Sequence, residues 1–71
     1  MKYLKKIKDL REDHDLTQEE LSKVLHISQR AYSYYETGDR DIPIDIVCEL
    51  ADYYGVSVDY LLDRSDKNNN Q

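Results

Sequence analysis

Two helix starts in the segment 17–36 constrain the fold more than any other feature of the sequence. Thr17 and Glu20 have the spacing of a capping box, in which the threonine hydroxyl accepts from the glutamate N–H and the carboxylate accepts from the threonine N–H. An apolar face with the i, i+3, i+4 spacing follows, made of Leu21, Val24 and Leu25. Ser28 is a preferred N-cap and begins a second helix at the next residue. The sequence therefore predicts two short helices joined by a tight turn, the first ending near residue 25 or 26.

The second helix has a polar side and an aromatic side. At about 100° per residue, one arc contains the polar set Gln29, Arg30, Ser33, Tyr34 and Thr37. The opposite arc carries Tyr32 and Tyr35, whose rings can pack against the rest of the domain. An α-helix fits the major groove of B-DNA, where arginine pairs with guanine and glutamine with adenine. The polar side is therefore a candidate reader of base edges, and a merely solvated helix face is the alternative.

Other segments extend this pattern along most of the chain. They are Leu10-Arg11-Glu12, Thr17 to Leu21, Ile27-Ser28, Tyr35 to Gly38, Leu50-Ala51 and Gly55 to Leu62. With these segments, residues 4–62 resemble the Xre and Cro/cI-type helix-turn-helix domains of phage repressors and small bacterial regulators. The resemblance implies a lambda-repressor-like domain and a sequence-specific, double-stranded DNA-binding regulator of transcription, with a repressor as the expected type.

The resemblance also implies a role for each matching position. The base-reading positions correspond to Gln29, Arg30, Ser33 and Tyr34. A contact to a DNA phosphate is implied at Gln18, and Ser28 and Thr37 are further phosphate candidates. Charge adds Lys5, Lys6, Lys23 and Arg40 as phosphate candidates, although each lysine is equally well explained as a solvated surface charge. An arginine of the first helix often pairs in this family with the glutamate that ends the recognition helix, here Arg11 and Glu36. That pair would hold the recognition helix in place together with Tyr32 and Tyr35.

Three positions depart from the residues that are usual in this family. His26 occupies the turn position commonly held by glycine, where a positive φ carries a steric cost that histidine tolerates better than β-branched residues do. Ser22 stands where a small alanine is common at the crossing of the two helices. Tyr34 replaces a more usual Arg, Lys, Asn or Gln. These departures weaken the match in detail.

The whole pattern predicts an all-α fold, a compact five-helix bundle in residues 1–64. Besides the helix-turn-helix, helices are expected at Tyr3 to about Asp13, from Pro43 to the residue before Gly55, and at Val58 to about Leu62. Residues 65–71 are polar and rich in asparagine, and we expect this tail to be disordered. The predicted core consists of Leu4, Ile7, Leu10, Leu16, Leu21, Val24, Leu25, Ile27, Ile46, Val47, Leu50, Tyr54, Val56, Leu61 and Leu62. The single cysteine, Cys48, cannot form an internal disulfide and is expected to be a small core residue.

The formal net charge of −5 is unusual for a DNA-binding domain, which commonly has a basic surface. Its distribution along the chain is uneven. The first eight residues carry the lysines Lys2, Lys5, Lys6 and Lys8 and no acid. The later part of the chain, expected to lie behind the reading face, carries Asp41, Asp45, Glu49, Asp52, Asp59, Asp63 and Asp66. We therefore expect modest non-specific affinity for DNA and few phosphate contacts.

Several classes of function and site find no support in the sequence. His14 and His26 lack metal-ligand spacing, and the acidic run Glu12 to Asp15 lacks the glycine and the closing glutamate of a calcium loop. We expect no metal, no cofactor, no small-molecule ligand and no enzymatic activity. No apolar run is long enough for a signal peptide or a membrane span, so we expect no membrane contact and a cytoplasmic location.

Two classes of function are compatible with the sequence. The first is a regulator that acts as a homodimer, whose two recognition helices enter successive major grooves about 34 Å apart on a pseudo-palindromic operator. Its dimer contact is expected at the back of the bundle, around Tyr60 and Leu61. The alternative is a protein-interaction module on the same fold, antitoxin-like or a repressor antagonist. Interface tyrosines suitable for either class are Tyr32, Tyr34, Tyr53 and Tyr54.

Overall fold

The computed structural model describes residues 4–62, which form five α-helices and no strand. The helices are α1 (Lys5–Asp13), α2 (Gln18–Leu25), α3 (Gln29–Thr37), α4 (Ile44–Tyr54) and α5 (Val58–Leu61). This confirms the predicted all-α, five-helix fold. The expected helix start at Tyr3, the charges of Lys2, Asp63 and Asp66, and the tail 65–71 lie outside the described residues.

Side-chain caps begin three of the helices where the sequence predicts them. At α2 the capping box is complete, because Glu20 N donates to Thr17 Oγ1 at 3.0 Å and Thr17 N donates to Glu20 Oε1 at 2.8 Å. Ser28 Oγ accepts from Ala31 N at 3.0 Å and begins α3, and Ser57 caps α5 in the same way. These contacts satisfy backbone donors that have no partner within the helix. Short helices thus start at defined residues, which fixes the length of the turn between α2 and α3.

The turn between α2 and α3 passes through His26 in the left-handed conformation. Its φ is 59° and its ψ is 41°, and the N–H of Ile27 donates to Ser22 O at 3.0 Å. A residue with a Cβ in this conformation carries a steric cost, which glycine would avoid. The turn geometry usual for glycine is therefore kept here by histidine. Asp15, in the link before α2, also has a positive φ of 55°.

The core lies between all five helices and includes one residue from a loop. Its buried apolar members are Ile7, Leu21, Leu25, Tyr32, Ile42, Ile46, Val47, Leu50, Ala51 and Leu61. Ile42, in the loop between α3 and α4, is 2% exposed and was missing from the predicted core. It inserts into the core directly before Pro43, the N-cap of α4. The core thereby joins the end of the loop between α3 and α4 to the rest of the bundle.

Two core predictions were wrong. Val24 is 40% exposed, and Cys48 is exposed at the surface of α4. The buried side of α2 is formed by Leu21, Ser22 and Leu25, so Val24 lies beside that arc and not within it. On α4 the buried residues are Ile46, Val47, Leu50 and Ala51, and Cys48 falls on the opposite side.

Candidate nucleic-acid interface

Helix α3 is held by side chains on its inner face. Tyr32 has 0% exposed surface and Glu36 only 4%, so one aromatic ring and one carboxylate are enclosed by the bundle. Tyr35 is half-buried and packs against the core cluster. A nine-residue helix is not stable in isolation, so its position depends on these contacts. The inner face therefore determines where the outer face points.

A hydrogen-bonded group of three side chains joins α3 to α1 and α2. Arg11 Nε donates to Glu36 Oε2 at 2.7 Å, and a second guanidinium nitrogen donates to Glu36 Oε1 at 3.2 Å. Gln18 Nε2 donates to Glu36 Oε1 at 3.0 Å. The third guanidinium nitrogen of Arg11 donates to Leu16 O at 2.8 Å, in the link between α1 and α2. A two-bond, charge-assisted pair of this kind specifies orientation as well as contact. We call Arg11, Gln18 and Glu36 the buttress.

The charges of the buttress favour each other despite their burial. Burial by itself raises the pKa of the Glu36 carboxyl, but the hydrogen bond from Arg11 and the smaller effects of the Tyr32 hydroxyl and the Gln18 amide outweigh it and leave the pKa below its ordinary value of 4.5. The hydrogen bond to Glu36 raises the pKa of Arg11. Burial, and after it the interaction of its hydroxyl with the Glu36 carboxylate, raises the pKa of Tyr32. The pair therefore stays ionised near neutral pH.

Two tyrosine hydroxyls lie behind the buttress. Among the described residues, the hydroxyl oxygens of Tyr32 and Tyr54 are buried without a well-formed hydrogen bond, and the nearest charge to act on the Tyr32 hydroxyl is the Glu36 carboxylate. Burial raises the pKa of Tyr54 to about 12, so this ring also stays neutral. The ring of His14 packs on the Tyr54 ring at a centroid distance of 5.0 Å. Tyr32, expected among the interface tyrosines, is thus a core residue, because its whole surface is enclosed.

The outer face of α3 forms one side of an open groove. The groove is lined by Gln18, Gln29, Arg30, Ser33 and Tyr34. The structure therefore brings together the four residues expected to read bases, and it adds Gln18 from the start of α2. Gln29 and Arg30 are exposed, whereas Ser33 and Tyr34 are half-buried. Gln18 belongs to both the groove and the buttress, so it links the outer and inner faces of α3.

The residues expected to contact phosphates are less uniform. Ser28 is exposed at the N-terminus of α3, beside the groove. Lys23 does not line the groove, and its Nζ lies 3.5 Å from Glu19 Oε2 on the surface of α2. On α1, Lys5 pairs with Asp9 at 2.9 Å, and Lys6 Nζ lies 4.8 Å from the centroid of the Tyr60 ring. Three lysines proposed from charge alone thus have contacts within the domain.

Two other phosphate candidates lie at the last residue of α3 and in the loop that follows it. Thr37 Oγ1 lies 3.2 Å from Tyr34 O and 3.0 Å from Asp39 Oδ2, so this hydroxyl is engaged within the loop. The guanidinium carbon of Arg40 lies 4.9 Å from the centroid of the Tyr34 ring. The contact between Tyr34 and Arg40 was not predicted from the sequence. Tyr34 lies on α3 and Arg40 lies beyond the helix end at Gly38, so no helical periodicity relates the two residues. The shape of the loop brings them together.

The expected dimer surface needs a correction. Leu61 is 1% exposed and belongs to the core of the single domain, so it is not available for a contact between copies. Tyr60 is half-buried, with Lys6 over its ring. Consecutive residues of a helix point in directions about 100° apart, so Leu61 faces the core while Tyr60 lies partly at the surface.

Residues 4–62 lack two further kinds of feature, a metal-binding cluster and a membrane-spanning helix. This part of the chain contains no group of three or more His, Cys, Asp or Glu side chains that could hold a metal ion. None of its helices has the length and apolar character needed to cross a membrane.

Known proteins resemble the chain in both sequence and fold. The profile of a family described as Helix-turn-helix matches residues 7–61. Over 64 residues the chain is 38% identical to YobD, an uncharacterized HTH-type transcriptional regulator of Bacillus subtilis, covering 90% of this chain and 57% of that protein. Over 63 residues it is 36% identical to RstR, a cryptic phage CTXphi transcriptional repressor of Vibrio cholerae, covering 89% of this chain and 57% of that protein.

A solved structure gives the same result. The crystal structure of a transcriptional regulator from Listeria innocua matches with a TM-score of 0.74 and 27% sequence identity, covering 78% of this chain and 51% of that one. The chain spans just over half the length of these relatives. The family profile extends over most of the chain and coincides with the five helices. The chain belongs to the helix-turn-helix family.

Proposed function

We propose that the chain binds double-stranded DNA sequence-specifically and regulates transcription, acting as a repressor. The observation that carries this proposal is the groove of Gln18, Gln29, Arg30, Ser33 and Tyr34, formed on a helix whose opposite side is fixed in the bundle. A helix presented in this way fits the major groove, where donors and acceptors distinguish the base pairs. The names of the relatives, a transcriptional regulator and a phage transcriptional repressor, support the same function.

Within the groove, the exposed side chains at the start of α3 are the best candidates to read bases. Arg30 can pair bidentately with guanine and Gln29 with adenine, while Ser33 can serve either base pair. Arg30 is exposed, and no carboxylate of residues 4–62 lies within ion-pair distance of it. Its guanidinium is therefore available for a base without first breaking an internal contact.

Two residues at helix starts are proposed to contact phosphates. Ser28 Oγ accepts a hydrogen bond from Ala31 N, which leaves the hydroxyl proton free to donate to a phosphate oxygen. Gln18 lies in the first turn of α2, where backbone N–H groups have no partner within the helix and the helix dipole favours an anion. These contacts would fix the register of α3 on the duplex.

We further propose that two copies bind a pseudo-palindromic operator. One α3 presents only a few base-reading side chains, and the net charge of −5 weakens general attraction to DNA. Two recognition helices spaced about 34 Å apart would double the specific contacts. The size of the bound operator and the mass of the complex in solution test this step separately from DNA binding itself.

The experiment begins with selection of bound duplexes from a random pool. Fluorescence anisotropy at 100 mM salt then compares the selected duplex with a random duplex. We expect Arg30→Ala to weaken binding to the selected duplex by about 1–3 kcal/mol and to relax one base position. Lys8→Ala is the matched control, since it removes the same charge from an exposed residue outside the groove. Its effect should be small and equal for both duplexes.

Equal affinity of the wild-type chain for selected and random duplexes would refute the proposed function. That result would favour the alternative class, a protein-interaction module on the same fold. Loss of helical circular dichroism in Arg30→Ala would instead show that this side chain supports the fold.

A further inference from the structure

The loop that follows α3 folds back onto Tyr34. The carbonyl oxygen of Tyr34 accepts from Gly38 N at 3.0 Å and from Arg40 N at 3.4 Å, and the Thr37 hydroxyl lies 3.2 Å from it. The Arg40 guanidinium carbon lies 4.9 Å from the Tyr34 ring centroid, which is within cation–π range. Arg40 is thus joined to Tyr34 through both its backbone and its side chain.

Arg40 stands between Asp39 and Asp41, and neither forms an ion pair with it. Asp39 Oδ2 lies 3.0 Å from Thr37 Oγ1, and Asp39 N donates to the same hydroxyl oxygen at 3.3 Å. Over residues 4–62, Arg40 has no carboxylate within ion-pair distance, unlike Lys5, Arg11 and Lys23. The positive charge of Arg40 is therefore held on a ring and not cancelled by an acid.

The ring contact leaves the guanidinium able to bind an anion. A planar guanidinium stacked on a ring keeps its N–H groups in the plane, where they can donate to a phosphate. Tyr34 lines the groove, so the cation over its ring lies beside that groove. Tyr34 itself is half-buried and has only one hydroxyl, which cannot form the bidentate patterns that distinguish base pairs.

We propose that Tyr34 is a positioning residue that holds Arg40 for a phosphate contact beside the groove, and that Tyr34 does not read a base. This inference rests on the proposed DNA binding and changes the role expected for Tyr34. Few cations face DNA in a chain with a net charge of −5, so a guanidinium ordered before binding contributes more here than in a basic domain. The contact is independent of sequence, since phosphates are the same at every base pair.

Anisotropy on the selected and the random duplex tests the proposal with the full chain. Tyr34→Phe keeps the ring and should bind both duplexes within about twofold of wild type. Tyr34→Leu removes the ring and should weaken both by about three- to fivefold. Arg40→Ala should weaken both at least as much and reduce the slope of log affinity against log salt by about one. Adding Tyr34→Leu to Arg40→Ala should have no further effect, because the ring then has no guanidinium to hold.

Two controls separate the proposal from effects on folding and net charge. Thermal melts of each variant show whether the helices are retained, and Lys8→Ala reports the effect of losing one exposed positive charge outside the groove. In the free protein, the Arg40 side-chain proton resonances should show an upfield ring-current shift. That shift should remain in Tyr34→Phe and vanish in Tyr34→Leu.

Three results would overturn the inference. A change of base preference in Tyr34→Phe would show that the hydroxyl reads a base. Additive effects of Tyr34→Leu and Arg40→Ala would show that the two residues act separately. Absence of the ring-current shift would show that the stack is not populated. If the wild-type chain binds no duplex at all, the proposed function fails and the DNA role of the pair fails with it, whereas the ring-current result still reports the stack.

Discussion

The buttress predicts a large loss of stability in Glu36→Ala. The Glu36 carboxylate accepts two hydrogen bonds from Arg11 and one from Gln18, and only 3% of its side-chain surface is exposed. The substitution removes all three bonds at once. Arg11 then keeps only its bond to Leu16 O, and the positive charge is left in a site where it is 13% exposed.

The size of the effect follows from these contacts. Breaking a buried ion pair by removing one partner costs about 3–5 kcal/mol. The partial exposure of Arg11 gives its charge some access to water, so we expect the lower end, about 3 kcal/mol. Because 1 kcal/mol shifts the melting temperature of a domain this small by about 4–8 °C, the midpoint should fall by about 12–24 °C.

Thermal unfolding followed by circular dichroism measures this shift. Glu49→Ala is the matched control, because Glu49 is an exposed glutamate on α4 and the substitution changes charge and helix propensity in the same way. We expect it to change stability by no more than about 0.5 kcal/mol. A double-mutant cycle with Arg11→Ala should give a coupling free energy of about 1 kcal/mol or more. If Glu36→Ala melts at the same temperature as Glu49→Ala, the buttress does not hold α3.

Other predictions concern pH, the turn and the core. The folded-state pKa of Glu36 is lowered from 4.5, so its contribution to stability is present above that pH and is lost as the pH falls through the folded-state pKa. The difference in free energy of unfolding between wild type and Glu36→Gln, measured by urea titration, should therefore shrink as the pH is lowered. A difference that does not change with pH would show that the Glu36 carboxylate is not stabilised by its charge. His26→Gly should raise the free energy of unfolding by about 0.5–1 kcal/mol and His26→Val should lower it, because His26 has a φ of 59°; urea midpoints in the reverse order would refute this. Ile42→Ala should lower the free energy of unfolding by about 2–5 kcal/mol and Val24→Ala by less than about 1 kcal/mol, since Ile42 is 2% exposed and Val24 40%. Equal losses of unfolding free energy in denaturant titrations of the two variants would contradict this difference in burial.

Local signals in the sequence were sufficient to place the starts of α2, α3 and α5. The capping box at Thr17 and Glu20 and the caps at Ser28 and Ser57 depend only on residues a few positions apart. They therefore act in the same way whatever the rest of the chain does. The resemblance to a known family supplied the pairing of Arg11 with Glu36, which no spacing along the chain could have indicated.

Contacts set by the packing of helices were harder to predict. Ile42 lies in a loop without periodicity, so nothing marked it as a core residue. Val24 follows the i, i+3, i+4 pattern, but the buried arc of α2 includes Ser22 and is rotated away from Val24. The stack of Arg40 on Tyr34 depends on the turn at Gly38, and a tertiary contact across a turn has no sequence period.

The division of α3 into an inner and an outer face makes the proposed DNA-binding surface suitable for redesign. Tyr32, Tyr35 and Glu36 fix the helix, whereas Gln29 and Arg30 are exposed and take no part in that support. A library randomised at the exposed positions should therefore yield mostly folded proteins, each with a different surface. Gln18 is the exception, because its amide bonds to Glu36 while it lines the groove. Any redesign of specificity that includes Gln18 would also alter stability, so that position is best left unchanged.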